Sequence, residues 1–326
     1  MTGHILALCG GVGGAKLAFG LAQVLPAEDL TIIVNTGDDF EHLGLHISPD
    51  IDTVAYTLAG LADRERGWGV SGETWNFMDS LRRLGGEDWF RLGDRDLAMH
   101  VERTLRLRAG KTLSEATSEL CAALGVRRLI APMSNESVRT ILLTDAGELT
   151  FQQYFVAQQC RPVVREIWFR GCEDATPSPA FLNAMDRSDL AAVVICPSNP
   201  FLSIDPIMSM PEVKAAISRT KAPVVAVSPI VGGAAIKGPT SKLMAEFGAR
   251  ADVIGVADHY APMLDGLVID YEDRRFEGSL AASGLRSLVT GTVMRSDADR
   301  VRLARETLAF VPRISESAPR VRHEEG

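Results

Sequence analysis

The chain has 326 residues, 46% of them hydrophobic, and a formal net charge of -8 at pH 7. The apolar content supports a full core and excludes wholesale disorder. The acidic balance excludes a nucleic-acid-coating surface, which needs a basic excess. No apolar run is long enough to span a bilayer, and the first is too short and too broken by glycine for a signal peptide. Five scattered cysteines, without a C-x-x-C pair, read as buried thiols in a reducing compartment. A cytoplasmic protein with no nucleic-acid or membrane partner is expected.

The first element is a strand, His4 to Cys9, running into Gly10-Gly11-Val12-Gly13-Gly14-Ala15-Lys16. A helix is predicted from 14 to about 25, with Leu17, Leu21, Val24 and Leu25 on one face and Pro26 as its stop. Glycines let a backbone approach a ligand, and the first helical N–H groups have no internal partner. Such a junction suits a phosphate, although it also makes an ordinary turn in an α/β domain. It is not the dinucleotide fingerprint: counted from Gly11, the last glycine would fall on Lys16. It is not a P-loop either, since no G-K-[ST] follows.

The second strand, Leu30 to Val34, is apolar on both faces, as a central parallel strand should be. It ends in Asn35, where a dinucleotide site would carry an acid. Asp38 and Asp39 follow at the carboxyl end, the edge where open α/β sheets collect ligands. Ser48-Pro49-Asp50-Ile51-Asp52-Thr53 opens a helix to about Ala62. Helical patterns over 73–84, 94–108 and 113–124 predict a helical insertion at about 60–125. Strands return over 128–131, 140–144, 149–156 and 164–169, with a hairpin around Asp145-Ala146-Gly147, and a short helix starts at Pro177. Further strands are read over 190–196, 224–227, 253–256 and 267–269, and a helix from Pro239 to about Phe247. A last helix near 297–310 precedes a frayed polar tail after 312. The whole reads as α/β: a single domain over 1–326, with a Rossmann-like open, mostly parallel sheet.

Several constellations carry chemistry. Asp38, Asp39, Asp50 and Asp52 flank two loops near the glycine turn. Oxygen ligands of this kind hold Mg²⁺, often shared with substrate phosphates. Asp50 and Asp52 equally suit the first turn of a helix. Asp94-Arg95-Asp96 opens another helix, where Arg95 is either solvated or a planar donor toward a ligand. His42, His46 and His100 show no metal-ligand spacing and read as surface or helix-packing residues. Ser134 and Asn135, like Ser198 and Asn199, offer small polar groups that hold a phosphate or a ring edge, or simply turn the chain. Lys237 near a helix N-terminus is poor for the dipole and needs an anion. No Ser/His/Asp or Cys/His pairing is legible, so covalent catalysis is not supported.

In order, these segments resemble the 2-phospho-L-lactate transferase family of coenzyme F420 biosynthesis. The carriers are Gly10 to Lys16, Val34-Asn35-Thr36-Gly37-Asp38-Asp39, Pro49-Asp50-Ile51-Asp52-Thr53, Leu92-Gly93-Asp94-Arg95-Asp96 and Met133-Ser134-Asn135. Phe151-Gln152-Gln153-Tyr154-Phe155-Val156, Pro197-Ser198-Asn199-Pro200, and Pro229-Ile230-Val231-Gly232-Gly233 with Lys237-Gly238-Pro239 complete the set. No fused ligase domain is expected. The resemblance implies that a guanosine-diphosphate-linked three-carbon acid (phospholactate, phosphoenolpyruvate or phosphoglycerate type) is the donor. The ribityl hydroxyl of the deazaflavin FO is the acceptor, GMP leaves, Mg²⁺ is required and the protein is a homodimer. It further implies substrate binding by Gly10, Gly11, Val12, Gly13, Gly14, Lys16, Asn35, Asp94, Ser134, Asn135, Ser198, Asn199, Gly232 and Gly233. Metal binding falls to Asp38, Asp39 and Asp50, and catalysis to Asp52, Arg95 and Lys237. The alternative is a related group of regulatory proteins that bind a nucleotide sugar without transferase activity; an ordinary nucleotide-dependent oxidoreductase is weakened by the failed fingerprint.

Overall fold

Short runs of aliphatic residues, too apolar for a surface, become the buried strands of one sheet. A computed structural model describes residues 3–315. The central strands are β1 (His4–Cys9), β2 (Leu30–Val34), β3 (Leu129–Pro132), β4 (Leu190–Ile195), β5 (Val224–Val227), β6 (Gly266–Ile269) and β7 (Arg286–Val289). Their order is β7-β6-β5-β4-β1-β2-β3, and every neighbouring pair is parallel. The chain moves outward from β1 to β3, then returns to β4 beside β1 and moves outward the other way. The strand order therefore reverses between β1 and β4, and a crevice opens at their carboxyl ends.

Side-chain alternation divides the core into two layers. Ile5, Ala7 and Cys9 face one layer with Leu17, Leu21 and Val54, and with Leu303 and Leu308 of the helix Asp297–Ser315. Leu6 and Leu8 face the other with Phe181, Val213 and Val256. Helices α1 (Gly11–Val24) and α2 (Pro49–Leu58) lie in the first layer. Between β2 and β3 come also α3 (Asn76–Arg83), α4 (Asp94–Arg108) and α5 (Leu113–Ala123). A separate antiparallel sheet holds Arg139–Thr144 between Gly147–Thr150 and Val164–Arg170, with the expected hairpin. Among the described residues no helix is long and apolar enough to cross a membrane.

Several elements differ from the sequence reading. The run over 253–256 is no strand but the first turn of a helix, Val253–Tyr260. Asp252 caps it, accepting from the N–H groups of Ile254 and Gly255, and a short β-branched run does not by itself distinguish the two states. The strand expected over 149–156 stops at Thr150 and becomes a π-helical turn, Gln153–Ala157. This turn buries Tyr154 against Leu142, Val164 and Leu243. An unanticipated hairpin pairs Phe40–His42 with Leu45–Ile47. Its two-residue turn puts Leu43 at φ 53° and Gly44 at φ 72°, without the Asn-Gly or Asp-Gly signal that usually marks such turns. Strand β7, half-buried at the sheet edge, also went unread. The last helix passes Pro312 and reaches Ser315; the rest of the expected tail lies outside the described residues.

Candidate active site

The site begins where β1 ends. Helix α1 starts at Gly11, three residues earlier than expected, so the glycines form its first turn. Gly10 is extended, and Gly11 takes φ 61°, a left-handed conformation that costs an L side chain strain. The Gly10 N–H donates to Ser198 Oγ at 3.1 Å, and the Gly11 N–H to Asp50 Oδ1 at 2.8 Å. Among the described residues, the N–H groups of Val12 and Gly13 find no side-chain acceptor. They are free to meet an anion at the positive end of the helix. Gly13 has a packing duty as well, since a Cβ there would collide with the Pro197 carbonyl oxygen. Gly14 lies beneath, against Ser198 and Cys9, outside the cleft lining. Lys16 donates to the Met294 carbonyl at 3.0 Å. Burial, with Arg300 and Lys237 nearby, lowers its pKa.

The carboxyl end of β2 supplies the acidic wall. Asn35 works inside the structure, outside the cleft lining. Its Nδ2 donates to Asp50 Oδ2 at 3.0 Å and to the Leu202 carbonyl at 3.3 Å. Asp38 and Asp50 line the cleft, and burial raises both pKa values against the helping hydrogen bonds of Asn35. Asp38 is pushed well up, with the Asp50 charge adding to burial; Asp50 is pushed up to about 6. Asp39 stands behind them, accepting from Ser48 Oγ at 2.7 Å and paired with His46 Nε2 at 3.2 Å. Oδ1 of Asp38 and Oδ1 of Asp39 are buried without a hydrogen-bond partner. These two unpartnered oxygens suit a hard divalent cation such as Mg²⁺. Among the described residues, the potential ligand atoms that lie within 4.8 Å of one another are those of Asp52, Asp96 and His100.

Next to this wall lies a buried cluster built by α2 and α4. Fully buried Arg103 grips both carboxylate oxygens of Asp52, with Nη1 3.1 Å from Oδ2. His100 sits between two acids, its Nδ1 3.5 Å from Asp52 and its Nε2 3.4 Å from Asp96. Tyr56 donates to Asp96 at 2.7 Å. Burial raises the Asp52 pKa despite Arg103 and His100. At Asp96 burial also pushes upward, but His100, Tyr56 and Arg103 outweigh it and hold the carboxyl below its ordinary range. Buried His100 is thus no surface residue; it bridges carboxylates. His42 is buried too, against Phe40, Trp89 and Phe90. The spacings Asp52–Tyr56 and Asp96–His100 are i,i+4, which puts each pair on one helix face; that was the legible signal for residues the sequence reading missed.

These walls enclose a cleft of 1140 Å³. It is lined by Gly10, Gly11, Val12, Gly13, Lys16, Asp38, Asp50, Asp52, Ser198, Asn199 and Lys237 of the anticipated set. Phe151 and Phe155, from a segment that carries the resemblance, also line it; unanticipated are Trp68, Trp89 and Phe90 and four arginines (Arg64, Arg66, Arg91, Arg295). Lys237 donates to the Arg66 carbonyl at 3.3 Å. Asn199 caps the π-helical turn Pro200–Ile204 through the N–H groups of Phe201 and Leu202.

Other anticipated residues lie outside this lining. Arg95 donates to the Ser71 carbonyl at 3.0 Å. Asp94 accepts from Thr74, Asn76 and the Phe77 N–H, tying α3 to α4. Ser134 contacts the Thr176 carbonyl at 2.7 Å, and Asn135 accepts from the Ser114 N–H at 2.9 Å. Gly232 and Gly233, both with positive φ, turn the hairpin Ile230–Val231/Ala234–Ala235, and Gly232 donates to Asp273 at 3.0 Å.

Comparison with known proteins follows the same lines. Residues 5–295 match the family described as 2-phospho-L-lactate transferase CofD. The chain is 37% identical over 287 residues to 2-phospho-L-lactate transferase of Methanosarcina mazei, covering 88% of this chain and 93% of that one. It is 39% identical over 319 residues to phosphoenolpyruvate transferase of Streptomyces griseus, covering 95% and 99%. A crystal structure of a UPF0052 family member from Bacillus halodurans shares the fold, with a TM-score of 0.62 at 15% identity over 94% of this chain and 99% of that one.

Proposed function

The chain belongs to the 2-phospho-L-lactate transferase CofD family, and from that premise we propose that it joins a three-carbon phosphoacid to the deazaflavin FO. The donor is the guanosine-diphosphate-linked acid, and GMP is released. One observation carries this reading. A single cleft at the strand-order reversal combines free helix N–H groups and lysines with a carboxylate wall and aromatic surface. The first pair of features suits a diphosphate, the second a cation and a hydroxyl, the third a flavin-like ring.

In the reaction the FO hydroxyl oxygen attacks the phosphorus that bears the three-carbon acid. A P–O bond forms there, and the bond from that phosphorus to the bridging oxygen breaks. The bridging oxygen leaves with GMP, and the hydroxyl proton departs toward carboxylate or solvent. Val12, Gly13 and Lys16 bind the diphosphate, and Lys237 offsets its charge. Asp52 orients the hydroxyl, while Arg103 and His100 fix the orientation of Asp52. Asp38 and Asp50, with Asp39 behind them, would hold Mg²⁺. When bound, the cation would neutralise phosphate charge and keep these carboxylates ionised. Arg95 has no part in this scheme, because it is tied to Ser71 outside the cleft lining.

The test is a product assay. The protein is incubated with FO, Mg²⁺ and guanylylated phospholactate, phosphoenolpyruvate or phosphoglycerate. FO-dependent GMP and a new FO phosphodiester are expected from at least one donor. Tight binding of a nucleotide sugar, with no product from any donor, would instead support the regulatory alternative.

A further inference from the structure

The cleft holds a cation that the scheme above does not use. Arg91 follows Trp89 and Phe90 in the connection between α3 and α4, and all three line the cleft. Its guanidinium carbon lies 4.1 Å from the centroid of the Trp75 ring. Other cleft arginines are already engaged: Arg66 with Asp63, and Arg64 with Asp297. Among the described residues the Arg91 side chain makes no hydrogen bond or ion pair. Its fork is therefore free, while the indole face holds its plane. Arg295 is similarly unpaired among the described residues, but no aromatic face supports it.

We propose that Arg91 binds the carboxylate of the transferred three-carbon acid; this rests on the transferase reading above. A donor of that class carries two separate anionic parts, a diphosphate and a carboxylate. The helix N-terminus and Lys16 meet the first. The carboxylate is repelled by Asp38, Asp50, Asp52 and Asp96 on the acidic side of the cleft. A stacked, unpaired guanidinium on a different element is the matching receptor, because it accepts a carboxylate through two parallel N–H···O bonds. Arg91 is in this sense a specificity-determining residue.

The experiment compares the carboxylate donor with its carboxamide analogue, in the unaltered protein and in Arg91→Met. The unaltered protein should favour the carboxylate by about a hundredfold in kcat/KM, the scale of a charged hydrogen-bonded pair. Arg91→Met should abolish that ratio by losing activity on the carboxylate donor alone, with KM for FO unchanged. Arg91→Lys keeps the charge without the fork and should recover about a tenth of the preference. The readout is a ratio, so a smaller folded fraction does not move it. Undiminished preference in Arg91→Met overturns the proposal alone. So does equal loss on both donors, a raised KM for FO instead, or collapse of the preference in Arg295→Met. Absence of transfer by the unaltered protein would overturn the transferase reading, and this proposal with it.

Discussion

At the scale of single residues, Asp52 and Asp50 look alike in sequence and differ in the fold. Asp52 is clamped by a fully buried Arg103, so removing its charge strands the guanidinium. Asp52→Asn should therefore lower stability by about 3–5 kcal/mol, as well as turnover. Chemical denaturation measures this, and a loss below about 1 kcal/mol would contradict the clamp. The partner of Asp52, seven residues beyond Asp96 on another helix, cannot be read from spacing. Among the described residues Asp50 has no such cation. Its pKa of about 6 stands above the ordinary 3.8. Folding thus favours its protonated form, and the associated stability is present below about pH 4 and lost as pH rises through 6. Asp50→Asn should gain on the unaltered protein by on the order of 1–3 kcal/mol between about pH 4 and pH 7.5, measured without Mg²⁺. A difference independent of pH would show that Asp50 is not held in this way. Mg²⁺ should raise the melting temperature of the unaltered protein more at the higher pH.

At the scale of elements, the glycine turn divides into two kinds of position. Gly11 has open space but a left-handed backbone, so Gly11→Ala should cost about 1–2 kcal/mol and weaken GDP binding. Gly13 has an ordinary backbone but no room, so Gly13→Val should destabilise by about 1–3 kcal/mol and impair GDP and FO binding together. Calorimetric titration of each ligand separates these outcomes; a stable Gly13→Val that binds FO normally would refute the packing role. The turn was legible because strand, glycines and helix are consecutive in the chain. The central strands other than β7 were legible because they are apolar on both faces. The turn at Leu43 was not, because a leucine at positive φ gives no turn signal. Helix Val253–Tyr260 was not, because its first turn is four apolar residues that fit a strand equally well. The α2–α4 cluster was half legible: each helix shows its i,i+4 pair, but their meeting is a tertiary event. Trp68, Trp89 and Phe90 of the cleft come from connecting segments, where no periodicity exists to read, and Phe155 comes from the π-helical turn Gln153–Ala157.

At the scale of the whole molecule, topology gathers these parts. The carboxyl ends of β1 and β2 bring the glycine turn and the acidic loop together, and β4 adds Ser198 and Asn199 from the far side of the reversal point. The insertion supplies Arg91, Asp96 and His100 to the same cleft. Among the described residues, the nearest serine and the two cysteines of the strand ends are already engaged or buried. Ser198 Oγ is bonded to the Gly10 N–H and carbonyl, and Cys9 and Cys196 are buried. The proposed reaction is direct transfer from donor to FO, by positioning and charge complementarity. The most direct test is a single-turnover reaction with a donor made chiral at the transferred phosphorus by sulfur substitution, read by phosphorus NMR. Direct transfer gives one GMP for each phosphodiester formed, no GMP without FO, and inversion at phosphorus. Retention of configuration, or GMP release without FO, would contradict it.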